Sequence, residues 1–124
     1  MIPRRLLVSA SVALATLLPL SMAYAQAWPT KPVRVVVPFA AGGPADALAR
    51  FLANKMAADV GQTIVIDNKG GAGGTLGAAD VIRSNDGHSL LFSSTGALVI
   101  VPALTPNLSY NPERDLAAIG QAVI

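Results

Sequence analysis

Apolar and polar positions alternate between two periods along this chain. Val33 to Val37 is a near-continuous β-branched run, interrupted by Arg34 and closed by Pro38. Such a run suits a strand buried on both faces. From Asp46 to Val60 the spacing changes to three and four, with apolar residues at Leu48, Phe51, Leu52, Met56 and Val60. That spacing predicts a helix with those residues inward, Arg50, Asn54, Lys55 and Asp59 largely outward, and Gly61 as its stop. Thr63 to Asp67 reads as a second strand and Asn68 to Gly74 as a glycine-rich turn. Thr75 to Arg83 reads as a second helix that faces inward through Leu76, Ala79 and either Val81 or Ile82. Asn85-Asp86-Gly87 is a turn signal. Ser89 to Ser93 then predicts a third strand, and a final strand is expected from about Ala117. Between them, Ala97 to Leu104 is read as a short helix, although its apolar run also allows a strand.

Strands alternating with helices imply an α/β fold, a parallel sheet with helices on both faces. No internal repeat or linker divides it. The ending from Leu116 to Ile124 reads as a strand with no polar tail after it, so a longer protein is expected.

The amino-terminal stretch is read as an address rather than as fold. Arg4 and Arg5 precede an apolar run from Leu6 to Leu20, and small residues follow through Ala27. This is the pattern of a secretory signal peptide over residues 1–25, cleaved after Ala25 or Ala27. The apolar core is shorter than the roughly 20 residues of a membrane span, and Pro19 interrupts its end. Cleavage would remove two of the nine Lys and Arg residues, leaving seven against seven Asp and Glu. The basic balance of the whole chain therefore gives no argument for nucleic acid. The chain has no cysteine, which excludes disulfides, thiolate metal sites and a lipid-attached cysteine. The exported protein is expected to lie outside the membrane.

Three strand-to-helix junctions carry the candidate chemistry. They are Phe39 to Asp46 (Phe39, Ala40, Gly42, Gly43, Pro44, Ala45 and Asp46), the loop with Gly71, Ala72 and Gly73, and Ser93, Ser94 and Thr95. In a parallel sheet all three fall at the carboxyl edge, where open α/β folds bind ligands. Helix starts offer N–H groups and partial positive charge, and glycines allow close approach. Taken singly, each junction also reads as an ordinary turn, with Asp46 as a cap or first-turn acid. Three in register favour a site for carboxylates or phosphates.

Other chemistry is poorly supported. Gly71 to Gly77 imitates a dinucleotide fingerprint, but Leu76 stands where its third glycine belongs. His88 is the sole histidine, read as a surface or packing residue, and no G-x-S-x-G or metal-loop spacing is present. No cofactor and no catalytic residue is expected. Lys69 and Arg83 read as solvated charges.

The combination Pro38-Phe39-Ala40-Ala41-Gly42-Gly43-Pro44-Ala45-Asp46, then Asn68 to Gly74, then Asp86-Gly87-His88-Ser89-Leu90-Leu91 and Tyr110-Asn111-Pro112-Glu113, resembles one family. It is similar to the amino-terminal part of the Bug (Bordetella uptake gene) periplasmic receptors of tripartite tricarboxylate transporters. The resemblance implies a periplasmic-binding-protein-like fold, with residues 28–124 in the first lobe of a two-lobe receptor. It implies a small carboxylate ligand (a di- or tricarboxylate, an amino acid or an aromatic acid) and membrane permease subunits as partners. Phe39 to Asp46 would line the ligand's carboxylate, Gly71 to Gly73 would form another wall, and Ser93, Ser94 and Thr95 the floor. Ala41, Ala45 and His88 depart from residues common in the family, where proline, Thr or Ser, and Tyr are frequent. Two other functions are weighed against this one. They are a nucleotide-dependent enzyme using residues 70–77 and a sensor that presents its ligand to a membrane kinase.

Overall fold

The computed structural model describes residues 27–122. The predicted signal peptide lies outside them, apart from its junction at Ala27. Three parallel strands, β1 (Val33–Val37), β2 (Ile64–Asn68) and β3 (Ser89–Leu91), form one sheet in the order β2-β1-β3. Val33, Val36 and Val37 are at most 1% exposed, so β1 is the buried centre that its β-branched run predicts.

Helix α1 (Pro44–Val60) connects β1 to β2, and α2 (Thr75–Ser84) connects β2 to β3. Pro44 at the first helical position presets φ, and Gly61 in the left-handed region ends α1 with its N–H donated to the Ala57 carbonyl. Arg34 of β1 reaches Asp80 of α2, whereas Asn68 of β2 reaches Asp46 of α1. In the paired register these residues point to opposite faces, so the helices cover the sheet on both sides.

The inward faces differ from the periodicity. In α1 the buried residues are Asp46, Ala49 and Ala53, while Phe51 is 60% and Met56 42% exposed. Small alanines let the helix lie close on the sheet, Phe51 and Met56 turn outward, and Leu48, Leu52 and Val60 of the predicted face stay half-buried. In α2 the buried set is Thr75, Gly77, Ala78, Ala79 and Val81, and Leu76 is exposed. Gly77 explains this: a Cβ there would stand 2.8 Å from the Pro38 Cβ and 3.1 Å from the Lys69 carbonyl oxygen. The helix therefore meets the end of β1 through its glycine rather than through Leu76.

After β3, a wide helical turn over Gly96–Ile100 runs into α3 (Val101–Leu104), as the helical reading of this stretch expects. Helix α4 (Pro112–Asp115) is capped by Asn111, whose side-chain oxygen accepts from the Glu113 and Arg114 N–H groups. Tyr110 packs with Ala78 and Ala79, flanked by Ile82, Leu91, Leu98 and Leu108. The strand expected from Ala117 is absent through residue 122. That stretch is exposed and belongs to no strand of the sheet.

Charges form one cross-layer network. Arg34 Nη1 donates to Asp80 at 2.8 Å and Asp67 at 3.1 Å, and its Nε to the Ser89 hydroxyl at 3.2 Å. Lys69 Nζ lies 2.9 Å from Asp80 and 3.8 Å from Asp67, so it is not the solvated charge expected. Lys69 and Arg34 together hold the Asp80 carboxyl below its ordinary range, against the opposing effect of burial.

Candidate functional site

The ladder delivers the three predicted junctions to one place. The Val37 carbonyl accepts from Lys69 N–H at 2.9 Å on one side of β1, and the Val36 carbonyl from Phe92 N–H at 2.9 Å on the other. Phe39, Gly70 and Ser93 therefore emerge side by side at the carboxyl edge. The order β2-β1-β3 makes chain direction diverge between β1 and β3, and the crevice at such a switch point is where doubly wound sheets bind ligands.

The glycine loop is held between its neighbours. Gly70 packs on Phe39 and Ala40, a Cβ on Gly73 would come 2.9 Å from Val101 Cγ2, and one on Gly74 2.7 Å from Ala97 Cβ. The second wall thus touches both the first junction and the turn that follows the third. Ala72 sits at φ 47°, a left-handed conformation that non-glycine residues rarely adopt.

The donors of the first junction are distributed differently from the expectation. Gly42 N–H donates to Asp46 Oδ2 at 2.8 Å, Gly43 N–H donates to the Ala40 carbonyl at 3.3 Å, and Pro44 has no N–H. The donors that the helix geometry leaves without an intrahelical acceptor are those of Ala45 and Asp46 in its first turn. Of the two readings of Asp46, the first-turn acid holds, and the cap position belongs to Gly43. Its carboxylate is 3% exposed and turned inward, accepting also from Arg50 Nε at 3.0 Å and Asn68 Nδ2 at 2.9 Å. Arg50, the Gly42 N–H and Asn68 together hold its pKa down to about 2.

At the third junction the Ser94 carbonyl accepts from Ala97 and Leu98 N–H, which turns the chain into the helix. Ser94 and Thr95 are exposed. The Ser93 hydroxyl is buried and has no hydrogen-bond partner among the described residues. A buried hydroxyl without a partner is costly, and the usual remedy is a ligand or a water. The Tyr110 hydroxyl is in the same condition, and burial pushes its pKa up.

Sequence reasoning did not single out Arg50, Asn68 or Tyr110. Asn68, as an amide ending a strand beside a glycine turn, was the one with a readable signal. His88 lies at the opposite, amino edge, with its Nε2 3.1 Å from the Thr30 N–H. An open groove of about 460 Å³ at the end of α1, lined in part by Ala53, Ala57, Gly61 and Ile64, also lies at that edge and holds no titratable side chain. Among the described residues, no cluster of His, Cys, Asp or Glu is suited to hold a metal, and no helix is long and apolar enough to cross a membrane.

A profile described as the tripartite tricarboxylate transporter family receptor matches residues 48–123. The chain belongs to this receptor family. A UPF0065 protein of Agrobacterium vitis is 43% identical over 107 residues, 86% of this chain and 31% of its own. Protein BugT of Bordetella pertussis is 37% identical over 97 residues, 77% of this chain and 30% of its own. Among solved structures, MatC from Rhodopseudomonas palustris with bound malate superposes with a TM-score of 0.66 at 46% identity, covering 71% of this chain and 30% of that one. The receptor chain thus spans about a third of the length of the curated relatives it matches. The family and its structural neighbours are periplasmic solute-binding receptors rather than enzymes, so the nucleotide-dependent reading of residues 70–77 is set aside.

Proposed function

We propose that these residues form the first lobe of an exported receptor that binds a small carboxylate and delivers it to permease subunits of a tripartite tricarboxylate transporter. The observation that carries this reading is the convergence of three strand-to-helix junctions at one edge, with the Ser93 hydroxyl buried there and without a partner among the described residues. Ala45 and Asp46 N–H groups, the Gly71 to Gly73 loop and the Ser93, Ser94 and Thr95 hydroxyls would supply the donors. The positively charged side chains near the edge are already paired: Arg50 with Asp46, and Lys69 with Asp80. The carboxylate would therefore be held by neutral dipoles in this lobe, as helix starts hold anions. The malate bound by MatC supports a carboxylate as the ligand class. The Arg4–Arg5 and Leu6–Leu20 pattern supports export through a cleaved signal over residues 1–25.

The test is a thermal-shift screen of the full-length mature protein. The panel holds malate, citrate, other di- and tricarboxylates, acidic amino acids, nicotinate and benzoate, with NAD and ATP as controls. A rise in Tm with one carboxylate is expected, because a ligand that binds only the folded state stabilises it by mass action. A rise with a nucleotide alone overturns the reading.

A further inference from the structure

One side chain hydrogen-bonds the first wall of the site to the strand that leads into the second. Asn68 is the last residue of β2, and the loop Lys69 to Gly74 follows it directly. Its Nδ2 donates to Asp46 Oδ1 at 2.9 Å and to the Phe39 carbonyl at 3.3 Å, and its Oδ1 accepts from Arg50 Nη2 at 3.2 Å. Asp46 in turn holds Gly42 through its N–H. Beside the direct packing of Gly70 on Phe39 and Ala40, one amide thus links the two loops by hydrogen bonds, with two contacts donated and one accepted.

We propose that Asn68 is a positioning residue that sets the first anion-facing loop against the glycine loop, and so sets carboxylate affinity without touching the ligand. The proposal rests on the carboxylate-receptor reading. An amide can present donors to Asp46 and Phe39 and an acceptor to Arg50 at once, whereas a carboxylate of the same shape only accepts. Asn68→Asp would set a second carboxylate against Asp46 and against the Phe39 carbonyl, with Arg50 as the one cation facing both. Lys69, next in the chain, is turned to Asp80 and Asp67 on the opposite face of the sheet. The β1 residue paired with Asn68 is Val37, which carries no charge. Repulsion between two carboxylates raises the affinity of the pair for a proton, and the introduced carboxyl group, once protonated, regains one donor.

The experiment measures equilibrium binding of malate, and of any panel acid that shifts the wild type, to full-length wild-type, N68D and N68A proteins between pH 8 and pH 5. At pH 8 both variants are expected to bind roughly 10- to 100-fold more weakly, on the scale of hydrogen bonds to a charged group. Relative to wild type at each pH, N68D is expected to recover as pH falls and N68A to stay weak. A merely structural role moves Tm but gives no pH-dependent split between the two variants. Wild-type affinity in N68D across the range overturns the proposal, and so does a constant deficit shared by both. If the wild type binds no acid in the panel, the receptor reading itself fails and the proposal with it. Should neither variant fold, the wild-type Asn68 side-chain amide resonances are followed on adding the acid. A shift is expected, and unmoved resonances overturn the assignment.

Discussion

Asp46 Oδ2 accepts the N–H of Gly42 at 2.8 Å, reaching back over the Gly43–Pro44 turn to the residue that opens it. One carboxylate therefore shapes the first loop from inside. Its pKa is lowered to about 2 in the fold, against about 3.9 for an unperturbed aspartate. The stabilisation this represents is fully present above about pH 4 and lost as pH falls through about 2. Asp46→Asn is expected to lower Tm by several degrees at pH 7. The gap between wild type and variant should close as the pH is taken toward 2, read by circular dichroism. A gap that is constant with pH would assign the loss to packing instead of charge.

A second expectation reverses the usual sign of a substitution. Gly77 lies inside α2, where Gly→Ala ordinarily stabilises by up to about 1 kcal/mol. Here the new methyl meets Pro38 at 2.8 Å and the Lys69 carbonyl at 3.1 Å, both on the elements that frame the site. Gly77→Ala is expected to destabilise by about 1–3 kcal/mol, the range for overpacking. Gly120→Ala, with nothing within 4 Å, should change stability little. Denaturant midpoints of the two variants against wild type check this. A G77A midpoint at or above wild type would show that the contact relaxes freely.

The strands were legible because β1 is buried on both faces and its valines say so without help from partners. The stop of the first helix was legible through Gly61, whose backbone preference is local, whereas its start was read at Asp46, two residues inside the observed start at Pro44. Helix faces were read less well. The pattern Leu48, Phe51, Leu52, Met56 and Val60 gives a helical period, but which side is buried depends on how closely the sheet approaches. Here the close approach selects Ala49 and Ala53. Leu76 failed for the same reason, displaced by a glycine contact with Pro38. The three site junctions were readable as motifs. The direction of each N–H was not, because the inward turn of Asp46 depends on Arg50 and on Asn68 of a neighbouring strand. The strand expected near Ala117 had the right residues, but residues 117–122 belong to no strand of the sheet.

His88 makes an amino-edge contact through both of its ring nitrogens. Its Nε2 accepts from Thr30 N–H at 3.1 Å, and its Nδ1 lies 3.1 Å from the Asp86 carbonyl, so the neutral ring with the proton on Nδ1 fits both. The Trp28 Nε1 donates to the Gly87 carbonyl at 2.8 Å, and Lys31 pairs with Asp86 at 3.4 Å beside it. His88→Phe, which removes the acceptor at any pH, is expected to speed hydrogen exchange at Thr30 roughly 5- to 10-fold, the equivalent of one net hydrogen bond. Exchange is read by mass spectrometry on peptides spanning residues 28–32 of the full-length protein. Equal exchange in wild type and variant at neutral pH would mean that Trp28 and Lys31 hold the segment alone.

Ser93 separates a binding role from a folding role. Its hydroxyl is buried just beyond β3 without a partner among the described residues, so the fold gives it desolvation cost and no bond from those residues. Removing an unsatisfied group of that kind is neutral or stabilising. Adding a carboxylate would change the balance, because the same hydroxyl would then donate to a charged oxygen, a bond of about 1.5–3 kcal/mol. Ser93→Ala is therefore expected to leave the ligand-free Tm unchanged or slightly raised. It should weaken binding of the acid identified by thermal shift about 10- to 100-fold. The two readouts move in opposite directions only if the hydroxyl faces the ligand. A fall in the ligand-free Tm with unchanged affinity would place the Ser93 hydroxyl in the fold's own hydrogen bonding and take the floor of the site away from the third junction.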